Sequence, residues 1–172
     1  LKGDPKPGEK VVVIGGDNYR IGMGGGAVSS VNTGQYTSGI ELNAVQRANP
    51  EMQKRAANVI RSIAESEDNP IVSIHDHGAG GHLNCLSELV EATGGHIDMS
   101  QLPIGDPTLS AKEIIGNESQ ERMGLLMEEK DVERVRRIAE RERAPMYVVG
   151  ETTNDMKFVF EQADGVKPID IK

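Results

Sequence analysis

From Ser73 to Cys85 the chain reads SIHDHGAGGHLNC, gathering a carboxylate, three imidazoles and a thiol around three glycines. An apolar run ends at His75–Asp76, and a glycine-rich turn then opens into a helix. This sets an acidic side chain at a strand's carboxyl end and free N–H groups at a helix start, where open α/β sheets bind ligands. Asp76 then serves either as a carboxylate sharing a magnesium ion with phosphates or as a cap on the turn. A zinc site from His75, His77, His82 and Cys85 fits the spacing poorly. The glycines between His77 and His82 match no zinc-ligand pattern. Cys85 falls early in the helix on its apolar side, with no base assignable to it, so it reads as packing rather than as a nucleophile.

A second cluster is GNESQERMG. Asn117, Glu118, Ser119 and Gln120 are four consecutive polar side chains ahead of an apolar strand. Such a run hydrogen-bonds a sugar, an amide or a metal-bound water, or it is an exposed loop; the residues alone favour the loop. Gln46, in AVQRANP, stands in the same position before a helix. The third cluster is IGMGGGAVSS, with Gly22, Gly24, Gly25 and Gly26 inside five positions. Glycines so dense lower the stability of a loop unless it needs unusual dihedrals or close approach to its backbone. A phosphate on consecutive N–H groups is one such need. The loop lacks the Lys-Ser/Thr of a P-loop and is out of frame for G-x-G-x-x-G.

The elements that must position these clusters follow from periodicity. KVVVIGG reads as a buried strand stopped by glycines. Residues 38–49 read as polar and irregular up to Asn49, which caps a helix with Pro50 in its first turn. Met52, Ala56, Val59, Ile60, Ile63 and Ala64 give that helix one buried face. PIVSIHD is a strand, and Leu86, Leu89 and Val90 mark the core side of the helix after it, which stops at Gly94–Gly95. HIDM is a short strand, and Ser110 with Glu113 has capping-box spacing. ERMGLLME is a strand, KDVERVRRIAERER a charged amphipathic helix with Val132, Val135, Ile138 and Ala139 inward, and PMYVVGE and MKFVFEQ are strands. The order from residue 51 is α-β-α-β-α-β-α-β-β. That is an α/β (α+β) layered sandwich, a mixed β-sheet packed by helices. Residues 1–10 are polar and proline-broken and read as a linker or domain entry, leaving 11–172 as a single domain.

Composition narrows the function. The chain has 172 residues and a formal charge of −8, from 27 acidic against 19 basic residues, which argues against a nucleic-acid binder. Two Phe, three Tyr and no Trp leave an aliphatic core and no base-stacking platform. The single cysteine excludes an internal disulfide and fits a reducing cytoplasm, the expected location. No run approaches the ~18 apolar residues of a membrane span. The chain opens on Leu1, with no methionine before Met23, and is expected to be a processed or excised piece of a larger protein.

GGDNYRIGMGGGAVSS, NAVQRANPEMQKR, IHDHGAGGHLN and NESQERMGLL occur in this order with these separations. Together they closely resemble the phosphoribosylformylglycinamidine synthase family, over nearly the whole chain from about Val11 to Ile169. Within it, the chain is similar to the first of two C-terminal-type domains of the aminoimidazole ribonucleotide synthetase superfamily. Selenophosphate synthetase and thiamine-phosphate kinase share that architecture, but NESQERM and VQRANPEM fit them poorly.

The resemblance implies part of an ATP-dependent ligase of purine biosynthesis. ATP would phosphorylate the formamide oxygen of formylglycinamide ribonucleotide, and ammonia would displace phosphate to give the amidine. It implies as partners an upstream nucleotide-binding domain and a glutaminase domain or subunit that releases ammonia from glutamine. It implies that Gln46, Glu118, Ser119 and Gln120 contact substrate and that Asp76 binds Mg2+. It leaves Gly24, Gly25 and Gly26 as the cradle for a ribose phosphate. His77 stands where the family pattern has an aliphatic residue. The other role the resemblance allows is a non-catalytic structural half of the pseudo-symmetric synthetase scaffold.

Overall fold

The computed structural model describes residues 3–32, 34–45 and 49–172. Its centre is β1 (Lys10–Ile14), whose four apolar residues are all fully buried. A strand this apolar must be covered on both faces, and it is. Val11 and Val13 belong to one core cluster, and Val12 and Ile14 to the other.

The first cluster lies under α4 (Gly81–Leu89) and α5 (Ala111–Ile115), through Leu86, Leu89 and Ile114. The second lies under α3 (Pro50–Ala64) and α6 (Glu129–Arg141), through Val59, Ile63, Val135 and Ala139. The result is three layers, helices–sheet–helices. Capping follows the sequence: the Asn49 side chain accepts from the Met52 N–H at 3.1 Å. Ser110 and Glu113 close a reciprocal capping box.

The sheet has seven strands in the order β2-β4-β1-β5-β3-β6-β7. The others are β2 (Ser73–Asp76), β3 (Gly95–Asp98), β4 (Met123–Met127), β5 (Met146–Thr152), β6 (Phe158–Glu161) and β7 (Ile169–Ile171). Only the β3–β6 pair is parallel, so the sheet is mixed. Register fixes where the polar clusters gather. Met123 sits opposite Ile14 on one side and Asp76 on the other. The chain leaving β1, the chain leaving β2 and the chain entering β4 therefore meet at one end of the sheet.

Beyond the periodicity reading, a 3-10 turn follows β3 at Met99–Gln101, and three further elements appear. Within 38–49, expected to be irregular, Ser38–Ala44 forms a helix, α2. Its Ile40 and Leu42 are exposed, so it has no core-facing stripe to read. The glycine loop contains one helical turn, α1 (Gly25–Ser29), and β7 adds a strand after the expected last one. Ahead of β1, the Glu9 N–H donates to Thr152 Oγ1 at 2.9 Å and the Gly3 N–H to Ser73 Oγ at 3.0 Å.

Candidate functional site

Three loops form this end of the sheet: 15–26 after β1, 77–81 after β2 and 116–122 before β4. Main-chain bonds join them in pairs. The Glu118 N–H donates to Gly22 O at 2.7 Å, and the Ser119 N–H to His77 O at 2.9 Å. His77 N–H in turn donates to Arg122 O at 3.2 Å.

Glu118, 3% exposed, lies between the two glycine segments. Its Oε1 accepts from the Gly80 N–H at 3.1 Å and the Gly26 N–H at 3.4 Å. This is what approaches the glycine-rich backbone. A Cβ on Gly25 would lie 2.7 Å from Glu118 Oε2 and 2.8 Å from Ala44 O. A Cβ on Gly26 would lie 2.9 Å from the Ala79 methyl. The Gly26 N–H thus already faces an internal carboxylate. An incoming phosphate at Gly24–Gly26 would have to compete with that charge or displace it.

Behind Glu118 is a buried polar network. Arg122 is fully buried. Its Nη2 donates to Asn117 O at 2.8 Å and Asn117 Oδ1 at 2.7 Å, and its Nη1 to Asn18 Oδ1 and to His82 Nε2, the latter at 2.9 Å. Asn117 Nδ2 donates onward to the carbonyls of Tyr19 and Ile21 at 2.8 and 2.6 Å. His82 Nδ1 and His77 Nε2 are 2.9 Å apart. Burial, then the Arg122 charge, holds both imidazoles well below the ordinary histidine range, so both are neutral. Each hydrogen bond to a buried charged group contributes about 1.5–3 kcal/mol. The network is therefore a main reason these loops hold one geometry.

The expected site residues divide. Glu118 and Ser119 are buried; Glu118 is joined to both glycine segments and Ser119 to the His77 carbonyl, and Ser119 Oγ has no partner among the described residues. Gln120 is exposed and faces away, lining a groove of ≈ 310 Å³ with Gln53, Ala57, Ile60 and Met123. Asp76 ends β2 with its side chain 67% exposed, its Oδ1 3.6 Å from His75 Nδ1. Gln46 lies outside the described residues. The histidines fall into separate groups. His75 Nε2 pairs with Glu88 at 2.8 Å, while His77 and His82 bond to each other. Cys85 is turned into the core, and burial pushes its thiol pKa up, away from nucleophile chemistry.

No cluster of three or more His, Cys, Asp or Glu suited to a metal occurs among the described residues. An exposed lone carboxylate such as Asp76 does fit Mg2+, which keeps most of its waters and takes one or two carboxylates alongside phosphates. No helix among the described residues is long and apolar enough to cross a membrane.

Sequence reasoning passed over Asn18, His82 and Arg122 as members of one unit. The available signals were a polar His77 at an aliphatic position and an arginine directly before an apolar strand.

Fold and site together define an α/β domain with its polar loops gathered at one end of a mixed sheet, the class in which ligands sit at strand ends. Residues 6–161 match the family described as AIR synthase related protein, C-terminal domain, and the chain belongs to that family. It is 46% identical over 157 residues to human phosphoribosylformylglycinamidine synthase, covering 90% of this chain and 12% of that protein. To the Dictyostelium discoideum enzyme of that name it is 42% identical, over 99% of this chain and 13% of the relative. The chain thus spans a small part of the curated relatives it matches. T. maritima PurL complexed with FGAR has the same fold, with a TM-score of 0.88 at 24% identity, over 99% of this chain and 28% of that one. E. coli HypE, a hydrogenase maturation protein, also shares the fold, with a TM-score of 0.67 at 16% identity over 98% of this chain and 51% of its own.

Proposed function

We propose that this chain is one domain, residues 11–172 with an entry segment at 1–10, of a cytoplasmic phosphoribosylformylglycinamidine synthase. That enzyme is an ATP-dependent carbon–nitrogen ligase of purine biosynthesis. The observation carrying this reading is the joining of Glu118 to both glycine segments and of Ser119 to the His77 carbonyl, next to Asp76. It occurs in a chain 46% identical to a relative bearing that name.

In this reading formylglycinamide ribonucleotide lies across the strand ends, in contact with Gln46, Glu118 and Ser119, and Gln120 joins them only by turning in from the groove beside α3. Glu118 accepts hydrogen bonds from ribose hydroxyls or the amide, and the N–H groups of Gly24 and Gly25, with that of Gly26 once it leaves Glu118, supply the positive edge for its phosphate. Asp76 is the residue that would hold Mg2+, which when bound offsets charge on the phosphates of ATP. The upstream nucleotide-binding domain brings ATP, and a glutaminase domain brings ammonia. The buried Arg122 network keeps the loops rigid, so that little ordering cost falls on binding.

The test is amidine formation by the complete protein from formylglycinamide ribonucleotide, ATP, Mg2+ and ammonium, with one phosphate released per product. No product would refute it. A second reading is favoured by the glycine N–H groups on Glu118: the domain is a structural half of the pseudo-symmetric scaffold, its loops closed on themselves. It predicts normal turnover when Asp76 and Glu118 are neutralised.

A further inference from the structure

The network behind Glu118 has a direction. A guanidinium only donates hydrogen bonds. With Arg122 Nη1 on His82 Nε2 at 2.9 Å, that nitrogen must present its lone pair. Asn18 Nδ2, 3.2 Å from the same nitrogen, is a donor as well and agrees. The proton of neutral His82 is therefore on Nδ1 and is given to His77 Nε2, 2.9 Å away. His77 is then left with its own proton on Nδ1. One side chain so fixes the tautomers of two others.

This directed chain spans all three loops. Arg122 reaches the first through Asn18, and through Asn117 on the Tyr19 and Ile21 carbonyls. It reaches the second through His82 and His77. The third carries it. His77 is flanked by Asp76 and Gly78, and its carbonyl takes the Ser119 N–H. A shift of the His77 main chain would move Asp76 and Ser119 together.

We infer that Arg122 and His82 are positioning residues: through the donor chain Arg122→His82→His77 they set the relative placement of Asp76, Glu118 and the glycine loop. The kinetic half of this rests on the proposed ligase reading; the structural half does not.

The test uses two variants of the complete protein, with amide hydrogen exchange read beside kinetics. His82→Ala removes both links. Exchange should quicken about tenfold or more in all three segments, 17–26, 76–81 and 117–122, while the β1 and β5 amides stay protected. In the same variant kcat should fall about 10–100-fold with a smaller change in KM, as expected when groups are misplaced rather than lost. His82→Met returns a weak acceptor to Arg122 and has no hydrogen to give His77. Exchange should recover in 17–26 and 117–122 and stay fast in 76–81. Should His82→Ala fail to fold, that selective pattern in His82→Met decides alone. Wild-type exchange throughout His82→Met, or a rise spread over the sheet as well, overturns the inference. Wild-type protein without turnover defeats the ligase reading instead and leaves the exchange result standing.

Discussion

Gly81 opens α4 where loop 77–81 passes closest to loop 116–122. Its φ is +57°, and a Cβ there would lie 2.4 Å from Asn117 O, 2.6 Å from its carbonyl carbon and 2.8 Å from its nitrogen. Gly81→Ala therefore costs two separate terms. Left-handed backbone costs a side chain about 1–2 kcal/mol. Forcing a methyl against three main-chain atoms costs about 1–3 kcal/mol more, because no flexible side-chain end is there to yield. The total of about 2–5 kcal/mol is a large share of the ~5–15 kcal/mol that stabilises a domain. Gly8 supplies the control: its φ is +87°, with nothing within 4 Å of a built Cβ. Gly8→Ala should lose only the first term. At about 2–4 °C per kcal/mol for a chain of this size, Tm should drop by about 5–20 °C for Gly81→Ala and by under about 8 °C for Gly8→Ala. Circular dichroism melts of the two variants side by side measure this. Equal shifts would refute the close loop contact, and with it the placement of Asn117 that carries Glu118.

Stability should fall with acid: His77 and His82 are held neutral in the fold, so below about pH 6.5 the unfolded chain binds protons that the native chain refuses. Urea midpoints should be level from pH 8 to 7 and decline toward pH 5; a midpoint that rises with acid contradicts the buried pair. Asp76→Asn, at an exposed side chain, should leave the melting temperature unchanged and lower synthetase turnover in the complete protein by about 10²–10³-fold, most at limiting magnesium; near-normal turnover would remove Asp76 from the metal. Cys85 should react with a thiol reagent only after denaturant is added, and rapid labelling of the native chain would contradict its burial. Elemental analysis should find no stoichiometric zinc, since His77 and His82 are spent on each other; one zinc per chain, lost in His82→Ala, would reverse that.

What could be read from the sequence was what repeats or caps. KVVVI and MGLLM are short unbroken apolar runs, and the stripe Val132, Val135, Ile138, Ala139 carries the helical period, so the central strands and α6 follow directly. Asn49 and Ser110 announce their helices through backbone capping, which is local. Helix α2 carries no such mark, because Ile40 and Leu42 face outward. The candidate site was legible as separate motifs and not as a unit. Nothing in GNESQERMG tells that Glu118 turns inward to Gly26 and Gly80 while Gln120 turns out to the groove beside α3. Asn18 and Arg122 stand 104 positions apart, and only the antiparallel pairing of β1 with β4 brings them into contact. Long-range polar contacts of this kind have no period. Their traces were His77, a polar residue in an aliphatic place, and Arg122, an arginine directly before an apolar strand.

The most direct test of the central claim is equilibrium binding of formylglycinamide ribonucleotide to the complete protein and to its Glu118→Gln variant. The amide keeps an oxygen for the Gly26 and Gly80 N–H groups, so the loops stay in place while the charge is removed. If Glu118 accepts hydrogen bonds from the substrate, affinity should weaken about 10–100-fold with Tm nearly unchanged, the weight of a hydrogen bond to a charged group. Unchanged affinity in a folded variant would contradict the account, leaving Glu118 a clamp between glycine loops and the domain a scaffold.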